Sequence, residues 1–251
     1  MPDPTPRSIR IAGDANAAPI AWACDALTRA LHGRGIAVAD DAAVTVAFAS
    51  GADRAAETAA SAAGIVLPRA AEAMALLPTA EGVLAWGADT RGLVYALTEL
   101  ADRVRYGDGD LFGALPLVEQ PSAPIRSIAR LFCSDVEDKS WFHDRQHWHD
   151  YLSMLASNRF NRFALTLGMG YNYPYHNNFI TDVYFYFPYP FLLEMPGFGI
   201  DVAELSAEER DANLAMLKFI ARETARRRLS APHHFLPSDY LESMFATGTP
   251  L

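Results

Sequence analysis

The sequence predicts an α/β protein in which a small mixed-sheet α/β sandwich is followed by the first β/α units of a truncated TIM barrel. Three observations predict this class. Short apolar runs alternate with segments of helical periodicity over residues 8–229. A polar segment with two prolines, residues 119–124, divides this series in two. Beyond it, a strand, a helix and a second strand follow in the order of a parallel βαβ unit.

The first predicted domain, residues 1–122, alternates strands with helices. Strands are predicted at residues 8–12 and 42–49, helices at 20–33 and 52–63, a hairpin at 72–86 with its turn at 78–82, and an edge strand at 115–118. Asp89 is positioned to cap a third helix. One apolar stripe runs along that helix until Gly107 breaks it, formed by Leu93, Leu97, Leu100 and Val104.

The second predicted domain, residues 123–251, opens with the βαβ unit. Its strands are predicted at residues 125–133 and 160–167, joined by an acidic loop and a helix. The buried face of that helix is predicted to carry Trp148, Tyr151, Leu152 and Leu155. Because ligands bind beyond the carboxyl ends of parallel strands, we expect chemistry at residues 134–138 and 168–172.

The remainder is too short for a closed barrel. Ser206 and Glu209 form a capping box for a helix, whose buried face is predicted as Leu214, Leu217, Ala221 and Thr224. No strand is expected after Leu229, and residues from about 230 form an anomalous tail. Only about half of the roughly 250 residues of such a barrel remain after the linker. We therefore expect a truncated or frame-shifted barrel whose open strand edges favour self-association.

Composition excludes several classes of function. The formal net charge is -9, from 21 Lys and Arg against 30 Asp and Glu, which argues against a nucleic-acid surface. No apolar stretch reaches the roughly 18 residues of a membrane span, and no signal peptide is visible, so we expect a cytoplasmic protein with no membrane partner. Two cysteines, Cys24 and Cys133, are too few for a disulfide framework.

Three segments, taken in order, resemble glycoside hydrolases. Residues 87–104, GADTRGLVYALTELADRV, resemble the entry to the last helix of the α/β domain that precedes the barrel in β-N-acetylhexosaminidases (chitobiase-type domain 2) and α-glucuronidases. Pro124-Ile125-Arg126 resembles the hexosaminidase Arg-Gly motif, whose arginine binds sugar hydroxyls. Residues 151–163, YLSMLASNRFNRF, resemble the first barrel helix and the turn into the second strand.

This resemblance implies a glycosidase without a cofactor, but one that departs from hexosaminidases. Their second strand carries a His-x-His-Leu-x-Asp pattern, which residues 164–169 replace with ALTLGM. In both families the catalytic carboxylates lie on later barrel strands. We therefore expect a glycoside hydrolase fragment of other specificity that acts on an oligosaccharide or glycoside and is inactive as this chain. The alternative is a non-catalytic carbohydrate-binding or assembly module.

Asp135 is a weak catalytic candidate. Glycoside cleavage uses two carboxyl groups, about 5 to 5.5 Å apart for retention and roughly 6.5 to 9.5 Å for inversion. Asp135, Glu137 and Asp138 follow the first barrel strand, where one such group is expected. The alternative is a solvated acidic loop that caps the next helix.

Arg126, Tyr171, Asn172 and Tyr173 are the predicted substrate-binding residues. An arginine forks onto sugar hydroxyls, although Arg126 equally suits a pairing with an acid at the domain junction, as does Arg130. The aromatic residues suit sugar binding because a pyranose packs its apolar face on a flat ring. The alternative for this aromatic loop, which continues to Phe191, is packing on itself or against further barrel strands.

No metal or nucleotide site is predicted. Two of the histidines, His143 and His147, sit at the spacing of one helical turn, but no Cys or Glu completes a zinc set with them and His149. A solvated helix surface is the favoured interpretation. Gly168-Met169-Gly170 lacks the third glycine and the following helix of a phosphate loop, which disfavours a nucleotide-binding protein.

Overall fold

The computed structural model describes residues 6–107, 110–132, 135–167, 191–194, 197, 199 and 205–230. These residues form two compact units. The first takes the chain up to Pro124 together with Arg226–Arg228, and the second takes Ile125–Ala225 and the residues from Leu229 onward. The predicted α/β class is confirmed, because parallel and antiparallel strands alternate with helices.

The first unit is built on a six-stranded mixed sheet with the strand order β2-β1-β3-β5-β4-β6. Its elements are β1 (Ser8–Ala12), α1 (Ala18–Gly33), β2 (Ala37–Val38), β3 (Val44–Ser50), α2 (Arg54–Ala62), β4 (Met74–Thr79), β5 (Gly82–Gly87), α3 (Thr90–Tyr106) and β6 (Leu117–Glu119). Strands β1, β2, β3 and β5 run parallel, and β4 runs antiparallel to its neighbours β5 and β6. Strand β2 was not predicted, since two exposed residues carry no periodicity.

The predicted hairpin is present, but its turn is shorter than residues 78–82. Thr79 pairs with Gly82, so only two residues lie between the strands. Gly82 has φ 145°, and a Cβ there would lie 2.4 Å from the carbonyl oxygen of Thr45. Pro78 is part of β4, at a position that β6 does not reach. Because that edge of β4 is open there, the missing N–H of proline removes no ladder hydrogen bond.

Helices cover both faces of this sheet. Helix α2 buries Ala56 and Ala60 on the face that carries alternate residues of β4 and β5, namely Ala75, Leu77, Leu84 and Trp86. Its small side chains therefore permit close packing on the sheet. Helices α1 and α3 pack on each other, and α3 contacts β3, β4 and β5. The predicted stripe of α3 is buried along its whole length.

Asp89 joins the start of α3 to the chain that enters β4. Its Oδ1 accepts a hydrogen bond from the N–H of Gly92 at 2.9 Å, which confirms the predicted cap. Its Oδ2 accepts a second one from the N–H of Glu72, also at 2.9 Å. Glu72 has φ 63°, and Arg91 pairs with its carboxylate at 2.6 Å. Gly92 permits this approach, since a Cβ there would lie 2.2 Å from the carbonyl oxygen of Ala73.

The second unit contains the predicted parallel βαβ arrangement. Its elements are β7 (Ser127–Phe132), α4 (Asp135–Phe142), α5 (Arg145–Ser157), β8 (Arg162–Leu167) and α6 (Ala207–Arg226). Strands β7 and β8 pair in parallel, from Ser127 opposite Arg162 to Phe132 opposite Leu167. The predicted acidic loop is wrong, because Asp135 and the residues after it form α4. This helix has eight residues and buries Phe142 near its end, which is too short for a periodic pattern.

The core of the second unit confirms one predicted helix face and corrects the other. Trp148, Leu152 and Leu155 of α5 are fully buried, with Tyr151 partly buried beside them. In α6 the predicted Thr224 is buried, but the buried apolar side chains are Met216, Phe219 and Ile220, while Leu214 and Leu217 are only partly buried. The predicted face is therefore offset by about one residue over most of its length.

Polar residues explain this offset. The buried face of α6 also holds Asn213 and Glu223, which hydropathy alone assigns to solvent. Asn213 Nδ2 donates to the carbonyl oxygen of Phe191 at 3.3 Å, and Glu223 lies 3.1 Å from His149 Nδ1. The predicted capping box holds in its first half, because the N–H of Glu209 donates to Ser206 Oγ at 3.1 Å.

A further strand position follows α6. Ser230 forms a parallel bridge with Arg162, on the edge of β8 that faces away from β7. Its N–H donates to the carbonyl oxygen of Asn161 at 2.9 Å, and its carbonyl oxygen accepts from the N–H of Phe163 at 3.0 Å. This isolated bridge is not a strand, so it does not contradict the expectation that no strand follows Leu229, and the predicted tail beyond Ser230 lies outside the described residues.

Among the described residues, no helix is both long enough and apolar enough to cross a membrane.

We predict that Gly92→Ala destabilises the first unit by about 1–3 kcal/mol, because the new methyl group would meet main-chain atoms that cannot move independently. Gly33→Ala is the matched control, since a Cβ at Gly33 meets nothing within 4 Å. That control is expected to be neutral or to stabilise the unit by up to about 1 kcal/mol. Urea denaturation of both variants measures the difference, and equal effects would contradict the close approach of α3 to Ala73.

Candidate functional site

The carboxyl ends of β7 and β8 are the expected location of the site. Asp135 is the first residue of α4, three residues beyond the end of β7. Tyr171, Asn172 and Tyr173 lie outside the described residues, as do residues 133–134. The structure therefore locates the backbone of Asp135 at the predicted end of the strand.

Arg126 lies at the opposite end of β7. It directly precedes Ser127, the first residue of the strand, whereas Asp135 follows its last residue. The five residue-to-residue steps of β7, at about 3.3 Å each, separate its first and last residues by roughly 17 Å. The structure therefore does not bring Arg126 together with Asp135, and a sugar-binding role for Arg126 stays a prediction.

The contacts of Arg126 join the amino ends of the two strands. Its Nε donates to the carbonyl oxygen of Arg159 at 2.6 Å, and its N–H donates to Asn161 Oδ1 at 2.9 Å. The N–H of Asn161 donates back to the carbonyl oxygen of Arg126 at 3.0 Å. Asn161 is only 2% exposed, and its own carbonyl oxygen accepts a hydrogen bond from the N–H of Ser230. One buried asparagine therefore connects three neighbouring strand positions.

Arg130 of β7 is held between aromatic rings of α4 and α5. Its Cζ lies 4.1 Å from the ring centroid of Trp141 and 5.6 Å from that of Tyr151. His147 stacks on Tyr151 with 5.8 Å between centroids and 8° between ring planes, and it lies 5.9 Å from Trp141. A cation over an aromatic face contributes about 0.5 to 2 kcal/mol. This Arg130 cluster (Arg130, Trp141, His147 and Tyr151) therefore fixes the helix that begins with Asp135.

Burial within the Arg130 cluster shifts the pKa values of two of its members toward their neutral forms. Burial lowers the pKa of His147, and the charge of Arg130 lowers it further, against the opposing effect of Asp144 and Asp150. Its Nε2 is buried without a hydrogen-bond partner among the described residues. Burial raises the pKa of Tyr151, which Arg130 partly offsets. Neutral His147 and Tyr151 are thus the forms that pack beside the guanidinium.

Asp138 and Lys139 of α4 have partners within the second unit. Asp138 accepts a hydrogen bond from Trp141 Nε1 at 2.9 Å, and Lys139 pairs with Glu209 of α6 at 2.7 Å. The cap of α5 is Asp144, whose Oδ1 accepts from the N–H groups of Gln146 and His147. The residue that caps α5 is therefore Asp144, and not one of residues 135–138 as the alternative interpretation had it.

The histidines do not form a metal set among the described residues. His143 lies between α4 and α5 rather than one turn from His147 on a single helix, and His149 pairs with Glu223. The described part of the chain holds no group of three or more potential metal ligands. Cys24 in the first unit is a poor nucleophile, because burial and the neighbouring Asp25 raise the pKa of its thiol to about 11.

Sequence reasoning missed Trp141. The available signal was residue spacing. Trp141 follows Asp138 by three residues and Tyr151 follows His147 by four, so each pair shares one helix face. The described residues thus place one positive charge, that of Arg130, against an aromatic ring of α4.

Three solved structures are similar to this chain to different extents. A GH138 enzyme that targets pectin rhamnogalacturonan II matches 95% of this chain and 33% of its own length, with a TM-score of 0.61 and 17% identity. A GH115 4-O-methyl-α-glucuronidase matches 66% of this chain and 25% of its own length, with a TM-score of 0.49 and 16% identity. A GH20 β-N-acetylglucosaminidase covers 63% of this chain and 26% of its own length, with a TM-score of 0.42 and 21% identity.

The first of these matches supports a glycoside-hydrolase-like fold. At 17% identity the first match shows the fold alone, and the chain spans about a third of that structure. No family model matches the sequence, and no curated protein matches it.

We predict that Asn161→Ala destabilises the second unit by about 1–3 kcal/mol, because it leaves the N–H of Arg126 without its acceptor. Asn158→Ala is the matched control. Asn158 is exposed and donates only to Met154 of its own helix, so a change within about 0.5 kcal/mol is expected. Urea denaturation followed by circular dichroism compares them. A similar loss in both variants would show that Asn161 does not hold the strands together.

We also predict that the second unit loses stability as the pH falls below about 6.5, the ordinary pKa of histidine. The folded pKa of His147 is lowered, so protons bind preferentially to the unfolded chain. The stabilising contribution is complete above the unfolded pKa and decreases as the pH falls toward the folded one. His147→Phe should flatten the pH dependence of the free energy of unfolding between pH 5 and 7. An unchanged slope in His147→Phe would disprove the assignment.

Proposed function

We propose that this chain belongs to a carbohydrate-active enzyme that hydrolyses O-glycosidic bonds. In this proposal, residues 1–122 are its accessory α/β domain and residues 123–251 open its catalytic barrel. The observation that carries the proposal is the match of 95% of the chain to the fold of a GH138 enzyme. The parallel pairing of β7 with β8 and the bridge at Ser230 support it, since each strand of such a barrel pairs in parallel with the next.

The proposed reaction centre lies beyond the carboxyl ends of β7 and β8. Asp135 would supply one carboxyl group, acting as acid, base or nucleophile according to its distance from the second. The resemblance to hexosaminidases and α-glucuronidases implies that the second carboxyl group lies on a later strand. The two-carboxylate reaction itself needs no cofactor.

Tyr171, Asn172 and Tyr173 are proposed to hold the substrate, because only three residues separate them from the end of β8 in the sequence. A tyrosine ring offers a flat surface to the C–H face of a pyranose, and its hydroxyl group reaches the polar edge. The Asn172 amide can both donate to and accept from sugar hydroxyls. Rhamnogalacturonan II fragments are the first substrates to test, since the GH138 enzyme targets that polysaccharide.

We expect the 251-residue chain to bind saccharides without turning them over. Isothermal titration calorimetry with rhamnogalacturonan II fragments and with aryl glucuronides measures binding, and release of the aryl group measures turnover. Tyr171→Ala should weaken binding by about tenfold or more, since loss of a stacked ring costs roughly 1–3 kcal/mol. Tyr106→Ala, which removes a 72% exposed tyrosine of the first unit, is the matched control.

Each outcome of this experiment decides a point. No binding by the folded chain to any saccharide would contradict the proposed function. Rapid release of the aryl group would contradict the expectation that the second carboxyl group lies elsewhere. Binding that is lost in Tyr171→Ala but retained in Asp135→Asn, with no turnover in a longer chain, would favour the non-catalytic carbohydrate-binding module.

A further inference from the structure

The first unit contains an open cleft of about 620 Å³ between α2 and the segment that follows it. The cleft lies beyond the carboxyl ends of β3 and β5, because Gly51 directly follows β3 and Ala88 directly follows β5. Ligands of open α/β sheets bind at this edge. The volume is within the roughly 300–1,000 Å³ of small-molecule sites. Position and size therefore both suit a ligand.

The cleft combines an apolar floor with a polar rim. Its floor includes Trp86 and Ala60, which are buried, and the half-buried Leu67. The indole N–H of Trp86 donates to the carbonyl oxygen of Gly51 at 2.8 Å, so the only polar atom of this side chain is already satisfied.

The rim side chains are exposed and differ in hydrogen-bonding character. Glu57 supplies a carboxylate acceptor, Ser61 a hydroxyl group and Arg69 a fork of N–H donors. One negative and one positive charge leave the rim neutral overall, which does not favour a phosphate or another strongly charged ligand.

The segment of residues 65–69 adds main-chain groups to this rim. The N–H of Ile65 donates to the carbonyl oxygen of Ala60 at 2.8 Å. Among the described residues, the N–H groups of Val66, Leu67 and Arg69 make no hydrogen bond to protein. Val66 is 91% exposed, the largest exposure among the large apolar side chains of the described chain. The segment therefore presents both hydrogen-bonding groups and apolar surface to a ligand.

We propose that this cleft binds a neutral saccharide. A sugar ring matches the lining because it has an apolar C–H face for the floor and a circle of hydroxyl groups that both donate to and accept from the rim. The apolar face would lie toward Leu67 and Val66, with the hydroxyl groups toward Glu57, Ser61 and Arg69. The site belongs to the accessory domain and would retain a polysaccharide without cleaving it.

This binding site is independent of the proposed reaction centre. All of its residues belong to the first unit, whereas Asp135 and the residues after β8 belong to the second. Variants of one unit therefore test one site and leave the residues of the other intact, so the failure of either proposal is recognisable.

The test uses the full chain and three probes: methyl β-glucopyranoside, cellobiose and inorganic phosphate. Amide chemical shifts recorded by NMR during titration locate the binding surface. We expect millimolar binding of the two sugars with shifts at residues 51–52, 57–61 and 65–69, and none with phosphate. Ser61→Trp, which fills the cleft, should weaken binding by about tenfold or more, and Arg69→Ala should weaken it less.

Two control variants match these substitutions. Ala62→Trp places the same side chain on the adjacent exposed position of α2, and Arg54→Ala removes an exposed arginine from the start of α2, outside the lining. Both should bind the sugars as the parent chain does. Circular dichroism verifies that each variant is folded. If Ser61→Trp does not fold, the comparison of Arg69→Ala with Arg54→Ala tests the proposal.

Three results would overturn the proposal. These are sugars that shift no residue of the cleft, Ser61→Trp and Arg69→Ala variants that bind as tightly as the controls, and phosphate that competes with the sugars. An extended apolar peptide that pairs with residues 65–69 and displaces the sugars would assign the cleft to a protein partner instead.

Discussion

The amino ends of the parallel strands in the second unit depend on one buried side chain, that of Asn161. Its amide oxygen and its main chain together hold Arg126 before β7 and Ser230 after α6. In parallel ladders the hydrogen bonds are evenly spaced, so a fixed first pair determines every later pair. Asn161 therefore fixes the register of β7 against β8. The register in turn fixes where β7 ends and where α4 begins with Asp135.

Local patterns predicted most elements because each signal lies within a few residues. The β-branched runs and the stripe of α3 require no knowledge of distant contacts, and neither does the cap at Asp89. Helix α4 was not predicted, because it is held by the burial of Phe142 and by Arg130, a residue of the preceding strand. The face of α6 was misplaced for a related reason, since Asn213 and Glu223 are buried by partners remote in sequence. Hydropathy does not register such partners.

Chain order predicts where a candidate site should lie, but it does not predict which residues lie there. A chain that runs strand, helix, strand places its functional groups beyond the strand ends, and Asp135 meets this rule. Arg126 does not, because a motif match carries no information about which end of a strand a residue occupies. The cleft of the first unit left no motif at all, since it arises only when α2 and residues 65–69 fold over the ends of β3 and β5.

The tryptophans are divided evenly between the units, with Trp22 and Trp86 in the first and Trp141 and Trp148 in the second. Chains with two folding units often depart from a single cooperative transition, so one melting curve does not describe both. Indole emission responds to local polarity, and three of these rings are at least 95% buried. Replacing either pair by phenylalanine would leave a fluorescent reporter in one unit only. Tryptophan fluorescence of such a variant would then report the unfolding of one unit alone.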